Sequence, residues 1–422
     1  MTIRMDSKER CVAVFEGRVP DRAPVCDFGN GAMLSYTKHT MGECRRSPEL
    51  VTEIMRDWVD ATGADMFFGP IETKGIFMDL PGADVKFPDN DQGSLRNAYF
   101  SCPEDVDSKP LYDPFDEKES PNFHRYVVDM LEATGRACAD VMAPAWCEGP
   151  LTTSSFLRGT EDLLMMMLME PDEAKRVIVR GADMCRDVVS AELERVEADY
   201  VVCTDPVSSA SMIDDAMFRE FNLDHLIRNI SHWKRRYGVP TMLHICGNTG
   251  PMLQDFSRTG AAAMSLDHAV DMRAAKSALS SHSAVMGNID PVTVMLNGTA
   301  EDVRCEARRC FEEAGEGGGF IFGAGCAEPN GTPIENVRAM MEVSMDNPYR
   351  RGKAPCPLDV DQGVHLWRSL LPHVIKTHDT PTSLTSGSIQ DSCPARRTRW
   401  RSARPYAPTW SRAPPASSLR RA

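Results

Sequence analysis

No stretch of this 422-residue chain is apolar for long enough to span a bilayer, the longest strongly apolar run being Leu163 to Met169. Positive charge is scarce as well. Lys and Arg number 47 against 61 Asp and Glu, for a formal charge of −14. Nucleic-acid affinity rests largely on clustered Lys and Arg, so this balance excludes a general phosphate-backbone binder and favours small molecules and proteins as partners. Neither nucleic acid nor a membrane is expected among them. The opening Met-Thr-Ile-Arg-Met-Asp-Ser-Lys-Glu-Arg carries charges where the apolar region of a secretory signal would lie, and a cytoplasmic location is expected. Signature loops are missing too. No G-x-G-x-x-G opens a helix after a strand, and Gly315-Glu-Gly-Gly-Gly319 precedes a strand and reads as a helix stop. With no G-x-S-x-G elbow and no G-x-x-x-x-G-K-[ST] loop, hydrolase and nucleotide-hydrolysing readings fall away. The 14 cysteines follow no repeating framework. In a long chain without a signal they read as reduced thiols, any special one being metal-binding or catalytic.

With 42% hydrophobic residues the chain can bury one barrel-sized core or two smaller ones. Its charge is unevenly spread: from Leu371 onward nine Lys or Arg face two Asp, a balance of +7 that leaves −21 for residues 1–370. That tail is rich in Ser, Pro, Thr and Arg and has no apolar periodicity, so disorder is expected over 381–422. Earlier, one pattern recurs: a short apolar run, a cluster of functional residue types, then a helical stretch. The runs are Ala23–Asp27, Ala64–Gly69, Val141–Trp146, Asp199–Asp205, Pro240–Cys246, Ala262–Asp267, Ala284–Asn288 and Gly319–Gly323. Continuous apolar runs suit parallel strands buried on both faces. Helices are expected over Ser47–Thr62, Pro171–Glu197, Asp214–Tyr237 and Thr299–Ala314. Eight β-then-α units make an α/β fold of the (β/α)₈ TIM barrel type the economical arrangement, over residues 1–350, with an extension at 351–380 before the basic tail. Such barrels place their chemistry at the carboxyl ends of the strands.

Three residues stand at such ends. His244 and Cys246, in Pro240-Thr-Met-Leu-His-Ile-Cys-Gly247, are spaced so that imidazole and thiolate share one face of an extended segment. Cys326 closes Gly319-Phe-Ile-Phe-Gly-Ala-Gly-Cys326. Three such ligands on zinc leave the fourth tetrahedral position open, the arrangement of a catalytic site. On the residues alone a second reading stays open, in which two buried thiols and a hydrogen-bonded histidine simply pack the strand ends.

Val14-Phe-Glu-Gly-Arg-Val-Pro-Asp-Arg-Ala-Pro-Val25, Asp205-Pro-Val-Ser-Ser209, His244-Ile-Cys-Gly-Asn248, Met286-Gly-Asn-Ile-Asp-Pro291, and Gly325-Cys326 with Thr332-Pro-Ile-Glu-Asn336 together resemble the uroporphyrinogen decarboxylase superfamily. More narrowly they are similar to its zinc-dependent corrinoid methyltransferase branch, typified by methylcobalamin:coenzyme M methyltransferases. The similarity runs from about residue 6 to about residue 347. It implies a (β/α)₈ barrel, zinc held by His244, Cys246 and Cys326, and methyl transfer in one-carbon metabolism. The methyl group would move between methylcobalamin, carried as a corrinoid on a separate protein, and a small-molecule thiol or other donor or acceptor. True decarboxylases of the superfamily carry an arginine-rich segment near the start to neutralise their substrate's carboxylates. Here the matching stretch, Asp27-Phe-Gly-Asn-Gly-Ala-Met-Leu-Ser35, has no arginine, which makes porphyrinogen decarboxylation the runner-up. A non-catalytic corrinoid-binding relative is the third reading.

Further polar residues take expected places around the site. Asp267, ending the sixth strand, is a candidate fourth ligand or a structural cap; His268 beside it is turned elsewhere by alternation. Asp205, ending the fourth strand, is positioned to order the ligands' surroundings or bind a polar substrate group, and Glu148 after the third to act as acid or base. Gly287, Asn288 and Asp290 are expected to shape the corrinoid-facing mouth, with a plain strand-to-loop turn as the alternative. Met165–Met169 reads as adaptable core packing.

Overall fold

The computed structural model describes residues 4–69, 72–279 and 282–346. The chain divides into two units, 1–360 and 361–422, and every described residue belongs to the first. The expected extension at 351–380 and the basic tail at 381–422 therefore lie outside the described residues.

All eight apolar runs become strands: β1 Cys26–Asp27, β2 Met66–Phe67, β3 Pro144–Glu148, β4 Tyr200–Thr204, β5 Thr241–Ile245, β6 Ala263–Leu266, β7 Ala284–Met286 and β8 Phe320–Ile321. Strands β3 to β8 form one parallel sheet in sequence order, and β1 pairs with β2 in parallel. Parallel bridges from Met66 to Met142 and from Val25 to Phe322 join the two pieces into a closed ring. At these seams Phe67 N–H donates to Met142 O at 3.1 Å and Cys26 N–H to Phe322 O at 2.9 Å. Closure removes both sheet edges, and an outer layer of helices covers the ring, as the near-continuous apolar runs anticipated.

That layer comprises α2 Pro48–Thr62, α3 Asp129–Ala137, α5 Pro171–Arg195, α6 Asp224–Tyr237, α7 Leu253–Phe256, α8 Met272–Leu279, α9 Ala300–Ala314 and α10 Ile334–Met345. Helix α1 Ser7–Phe15 precedes the barrel, and α4 Pro150–Arg158 opens the β3 connection. Local chemistry sets their ends. Ser47 caps α2 by accepting from Leu50 N–H, Pro48 occupies its first turn, and Gly63 ends it at φ 72°. Its buried residues Val51, Ile54, Met55, Trp58 and Val59 recur at helical spacing and face the sheet. Thr299 and Asp302 form a reciprocal capping box at α9. The helix expected over Asp214–Tyr237 passes through a π-helical turn at Arg219–Leu223 before α6 begins. The methionine run departs from expectation. Leu163, Met166 and Met167 are buried, whereas Met165, Leu168 and Met169 are 55%, 65% and 73% exposed, because the run is helical and only one face meets the core.

Alternation divides the strand residues between two cores. Cys26, Met66, Met142, Tyr200, Val202, Met242 and Met286 fill the barrel interior, and Cys11 and Val14 of α1 close its amino-terminal end. At that end the fully buried Asp65 receives Arg10 Nη1 and Arg22 Nη1 at 2.7 Å each, together with Val25 N–H at 2.9 Å. Charged hydrogen bonds in a dry setting are strong, and here they tie α1, β1 and β2 together. At the opposite end the β2 connection makes an excursion through a hairpin, Val85–Lys86 with Ser94–Leu95, anchored by Arg45 Nε on Glu72 at 2.6 Å. Asn90, Asp91 and Gln92 of this excursion reach the cavity described below.

Candidate metal centre and adjoining cavity

His244 lies in β5 with its side chain inside the barrel, next to Thr204 of β4 and Ser265 of β6 in register. Cys246, two residues on, keeps the same side. Cys326 arrives from the turn after β8, which runs so close to β6 that a Cβ on Gly325 would sit 2.5 Å from His268 N. The three donors form a compact triangle: His244 Nε2 to Cys246 Sγ 3.0 Å, Cys246 Sγ to Cys326 Sγ 3.4 Å, and Cys326 Sγ to His244 Nε2 3.9 Å. Bond lengths of about 2.0–2.3 Å around tetrahedral zinc imply donor separations of about 3.3–3.8 Å; the sulfur–sulfur separation falls in that range, and the two to nitrogen, at 3.0 and 3.9 Å, lie just either side of it.

The surroundings prepare the donors. His244 Nδ1 lies 3.0 Å from Ser265 Oγ and 3.2 Å from Ser265 O. A carbonyl only accepts, so Nδ1 carries the proton and Nε2 turns its lone pair toward the two sulfurs. The rings of Phe28 and Phe68, stacked on each other, meet the imidazole edge-on at centroid distances of 5.0 and 5.4 Å and shield it from water. Hydrogen bonding from Cys246, then from His244, holds the Cys326 thiol down to about 4, and the same sulfur–sulfur contact pushes Cys246 up. Cys326 is thus the readier thiolate of the pair.

The expected carboxylates separate into different tasks. Asp267 accepts from Gly247 N–H at 2.8 Å and Ala269 N–H at 3.0 Å, which secures the turn just past Cys246. His268 is half-exposed, with Nδ1 3.0 Å from Asp267 Oδ1, and stands outside the donor triangle. Glu148 is buried against Lys74 and accepts from Thr204 Oγ1 at 3.0 Å, within the interior layer that holds His244. Asp205 is fully buried, its oxygens accept from Thr152 N–H at 2.7 Å and Asn222 Nδ2 at 2.6 Å, and it positions the start of α4. Burial raises it to about 6 against those hydrogen bonds. The buried amide of Asn288 donates to Asp267 O at 3.0 Å and Val270 O at 2.8 Å and holds the loop after β6. Gly287 passes within 2.7 Å of Leu266 O, as measured from the site of a Cβ, and Asp290 caps the next turn through Val292 and Thr293 N–H at 2.8 Å each. These are the strand-to-loop roles held open as the alternative to the corrinoid mouth.

A cavity of about 270 Å³ opens beside the triangle, lined by Phe28, Phe68, Trp146 and Thr204 among others. Asp27 lines it and Glu328 lies against Gly29 of its wall, two buried carboxyls that sequence reading did not single out. Asp27 takes the Trp58 indole N–H on Oδ2, while its Oδ1 and both oxygens of Glu328 have no partner among the described residues. Burial pushes Asp27 up to about 7, and burial followed by the nearness of Asp27 pushes Glu328 well above the carboxylate range.

The chain matches the uroporphyrinogen decarboxylase (URO-D) family over residues 6–346. It belongs to that family. A methylcobamide:CoM methyltransferase of Methanosarcina mazei is 34% identical over 152 residues, 36% of this chain and 43% of that protein, so less than half of that relative is spanned. One of the same description from Methanosarcina barkeri is 23% identical over 340 residues, 79% of this chain and 96% of its own. A uroporphyrinogen decarboxylase of Anaeromyxobacter dehalogenans is 28% identical over 315 residues, 71% and 86% of the two chains. Among solved structures, a methyltransferase from Methanosarcina mazei superposes with a TM-score of 0.69 at 21% identity, covering 81% of this chain and 99% of its own, a likeness of fold. URO-D relatives are therefore enzymes of two kinds, methyltransferases and decarboxylases.

Within this URO-D barrel a second thiol group also went unanticipated. Cys147 and Cys203, paired across β3 and β4, point outward to Cys185 of α5, and the three sulfurs lie within 4.8 Å of one another. All three are buried in the layer between barrel and helices. Among the described residues no helix is long and apolar enough to cross a membrane.

Proposed function

We propose that this URO-D family member is a zinc-dependent methyltransferase that moves a methyl group between a corrinoid on a partner protein and a small molecule. The His244–Cys246–Cys326 triangle carries the reading, because its donor types and spacings suit zinc with one open position. When bound, zinc supplies the Lewis acidity that keeps a coordinated thiol ionised at neutral pH. Ser265 holds the His244 tautomer, Asp267 steadies the turn after Cys246, and the Phe28–Phe68 pair keeps water from the imidazole. For a thiol acceptor, the proton leaves to solvent and the sulfur lone pair attacks the methyl carbon in line. The carbon–cobalt bond breaks, and its electron pair stays on cobalt. Gly287 and Asp290 stand at the carboxyl end of β7, the end of the barrel at which a corrinoid would approach.

Decarboxylation of a porphyrinogen is disfavoured by the cavity itself. A substrate with many carboxylates needs cationic partners, yet the lining includes Asp27 and Asp91 and, among the described residues, no Lys, Arg or His. The test is methyl transfer from methylcobalamin to thiols by the zinc-loaded protein, followed through the cobalamin spectrum. The expected result is turnover that Cys326→Ser reduces by at least about a hundredfold. Porphyrinogen turnover that survives loss of all three ligands would overturn the proposal.

A further inference from the structure

Beneath helix α5, on the outer face of the barrel wall, three thiols converge from three elements. Cys147 of β3 and Cys203 of β4 are partners in register, and Cys185 of α5 comes down on them, its Sγ 3.6 Å from that of Cys147. The three sulfurs lie within 4.8 Å of one another. All are free thiols, and Cys147, Cys185 and Cys203 are 1%, 2% and 0% exposed. Besides the His244 triangle, this is the one group of three candidate ligand side chains that converges among the described residues. A single atom bonded to three sulfurs at about 2.3 Å holds them roughly 3.4–4.0 Å apart, so the trio needs little movement to reach that geometry. The layer around it is apolar. Charges next to it in sequence are paired elsewhere, Glu148 with Lys74 and Arg186 with Asp183 and Asp187.

That dryness selects a guest by charge. Three thiolates around a monovalent ion carry two net negative charges, and around a divalent ion one, either of which an apolar layer disfavours strongly. A trivalent centre leaves none. Thiolates, being soft, also favour soft acceptors over oxygen-seeking ones. We infer that Cys147, Cys185 and Cys203 form a binding site for a trivalent, thiol-seeking metalloid of the arsenite kind. The exchange balances without any change of oxidation state. Arsenous acid brings three hydroxyls and the protein three thiols; three arsenic–oxygen and three S–H bonds break, three arsenic–sulfur bonds form, and three waters leave. Entrant and product are both uncharged, so no charge crosses the apolar layer, and local openings of α5 from the sheet admit a molecule of this size. Once made, the three bonds tie α5 to β3 and β4. The site is separate from the zinc triangle and stands without the methyltransferase reading.

Titration of the zinc-loaded full chain with sodium arsenite tests it, read through arsenic and zinc content by mass spectrometry and through arsenic K-edge X-ray absorption. The expected result is one arsenic per chain in a shell of three sulfurs without oxygen, with zinc retained and the thermal midpoint raised. Cys185→Ala and Cys203→Ala should each lower arsenite affinity by at least about a hundredfold, since each removes one of three linked bonds. Either variant suffices should the other misfold, and the three-sulfur shell of the wild type needs neither. Cys326→Ser, in the other cluster, should leave arsenite affinity within about twofold. No retained arsenic, a shell of two sulfurs and an oxygen, or uptake in both core variants equal to wild type overturns the inference. So does arsenic that displaces zinc and is lost in Cys326→Ser, because it then occupies the triangle.

Discussion

His244 is built to face two sulfurs through one nitrogen, and the residue that arranges this is Ser265. Its hydroxyl and carbonyl both lie within hydrogen-bond range of Nδ1. Removing the hydroxyl leaves the carbonyl in place, so Ser265→Ala should weaken zinc binding by only about tenfold, at the low end for such outer partners. Competition with a chromophoric chelator measures it, and unchanged affinity would show that the ring needs no such support. The ligand trio was legible in the sequence because His-x-Cys on an extended run and Gly-Cys after another are local patterns with a geometric meaning. Asp27 and Glu328 were not. One belongs to the first strand and the other to the turn after the eighth, and they meet only because the barrel closes. The Cys147, Cys185 and Cys203 group was equally hidden, since its members are ordinary buried thiols in a cysteine-rich chain until a strand pair and a helix face each other.

Elements place these residues, and two positions show how tightly. The turn after β8 can carry Cys326 to the triangle only if Gly325 lacks a side chain, given the 2.5 Å approach to His268 N. Gly325→Ala should therefore lose zinc affinity by more than about tenfold while the circular dichroism spectrum stays that of the folded barrel. The end of β4 is joined to the start of α4 and to Asn222 by Asp205, whose carboxyl burial raises to about 6. An acid with a raised native pKa is less stabilising once ionised: the native state holds its proton more firmly than the unfolded chain between about pH 4 and pH 6. Its contribution is thus present below about pH 4, falls as pH rises through that window, and stays low above it. The stability gap between wild type and Asp205→Asn, from urea unfolding, should shrink by about 2 kcal/mol from pH 4 to pH 7. A constant gap would contradict this. The strands themselves were readable because parallel strands buried on both faces leave unbroken apolar runs. Side-chain tasks at their ends were less so. Asp205 and Asn288 occupy positions where barrels keep their chemistry, yet their polar atoms are spent on neighbouring loops, which only the packing reveals.

Across the whole molecule, the two ends of the barrel divide stability from chemistry. At the amino-terminal end Asp65 pairs with Arg10 and Arg22 and takes Val25 N–H, joining α1 to the first two strands. Asp65→Asn would remove the carboxylate paired with Arg22, while the buried Arg10 keeps Asp21 at 2.7 Å, and should destabilise the fold by about 3 kcal/mol in urea unfolding. Zinc stoichiometry at low denaturant should be retained, since the triangle lies at the opposite end. The carboxyl-terminal end gathers the donor triangle, the shielding rings and the acidic cavity, each drawn from different strands. Zinc K-edge X-ray absorption of the metal-loaded protein tests this account most directly. The account predicts two sulfur scatterers at about 2.3 Å and one imidazole nitrogen at about 2.0–2.1 Å, with a fourth light-atom ligand that added thiol replaces by sulfur. A shell of nitrogen and oxygen alone, unaffected by Cys326→Ser, would place the metal elsewhere and contradict it.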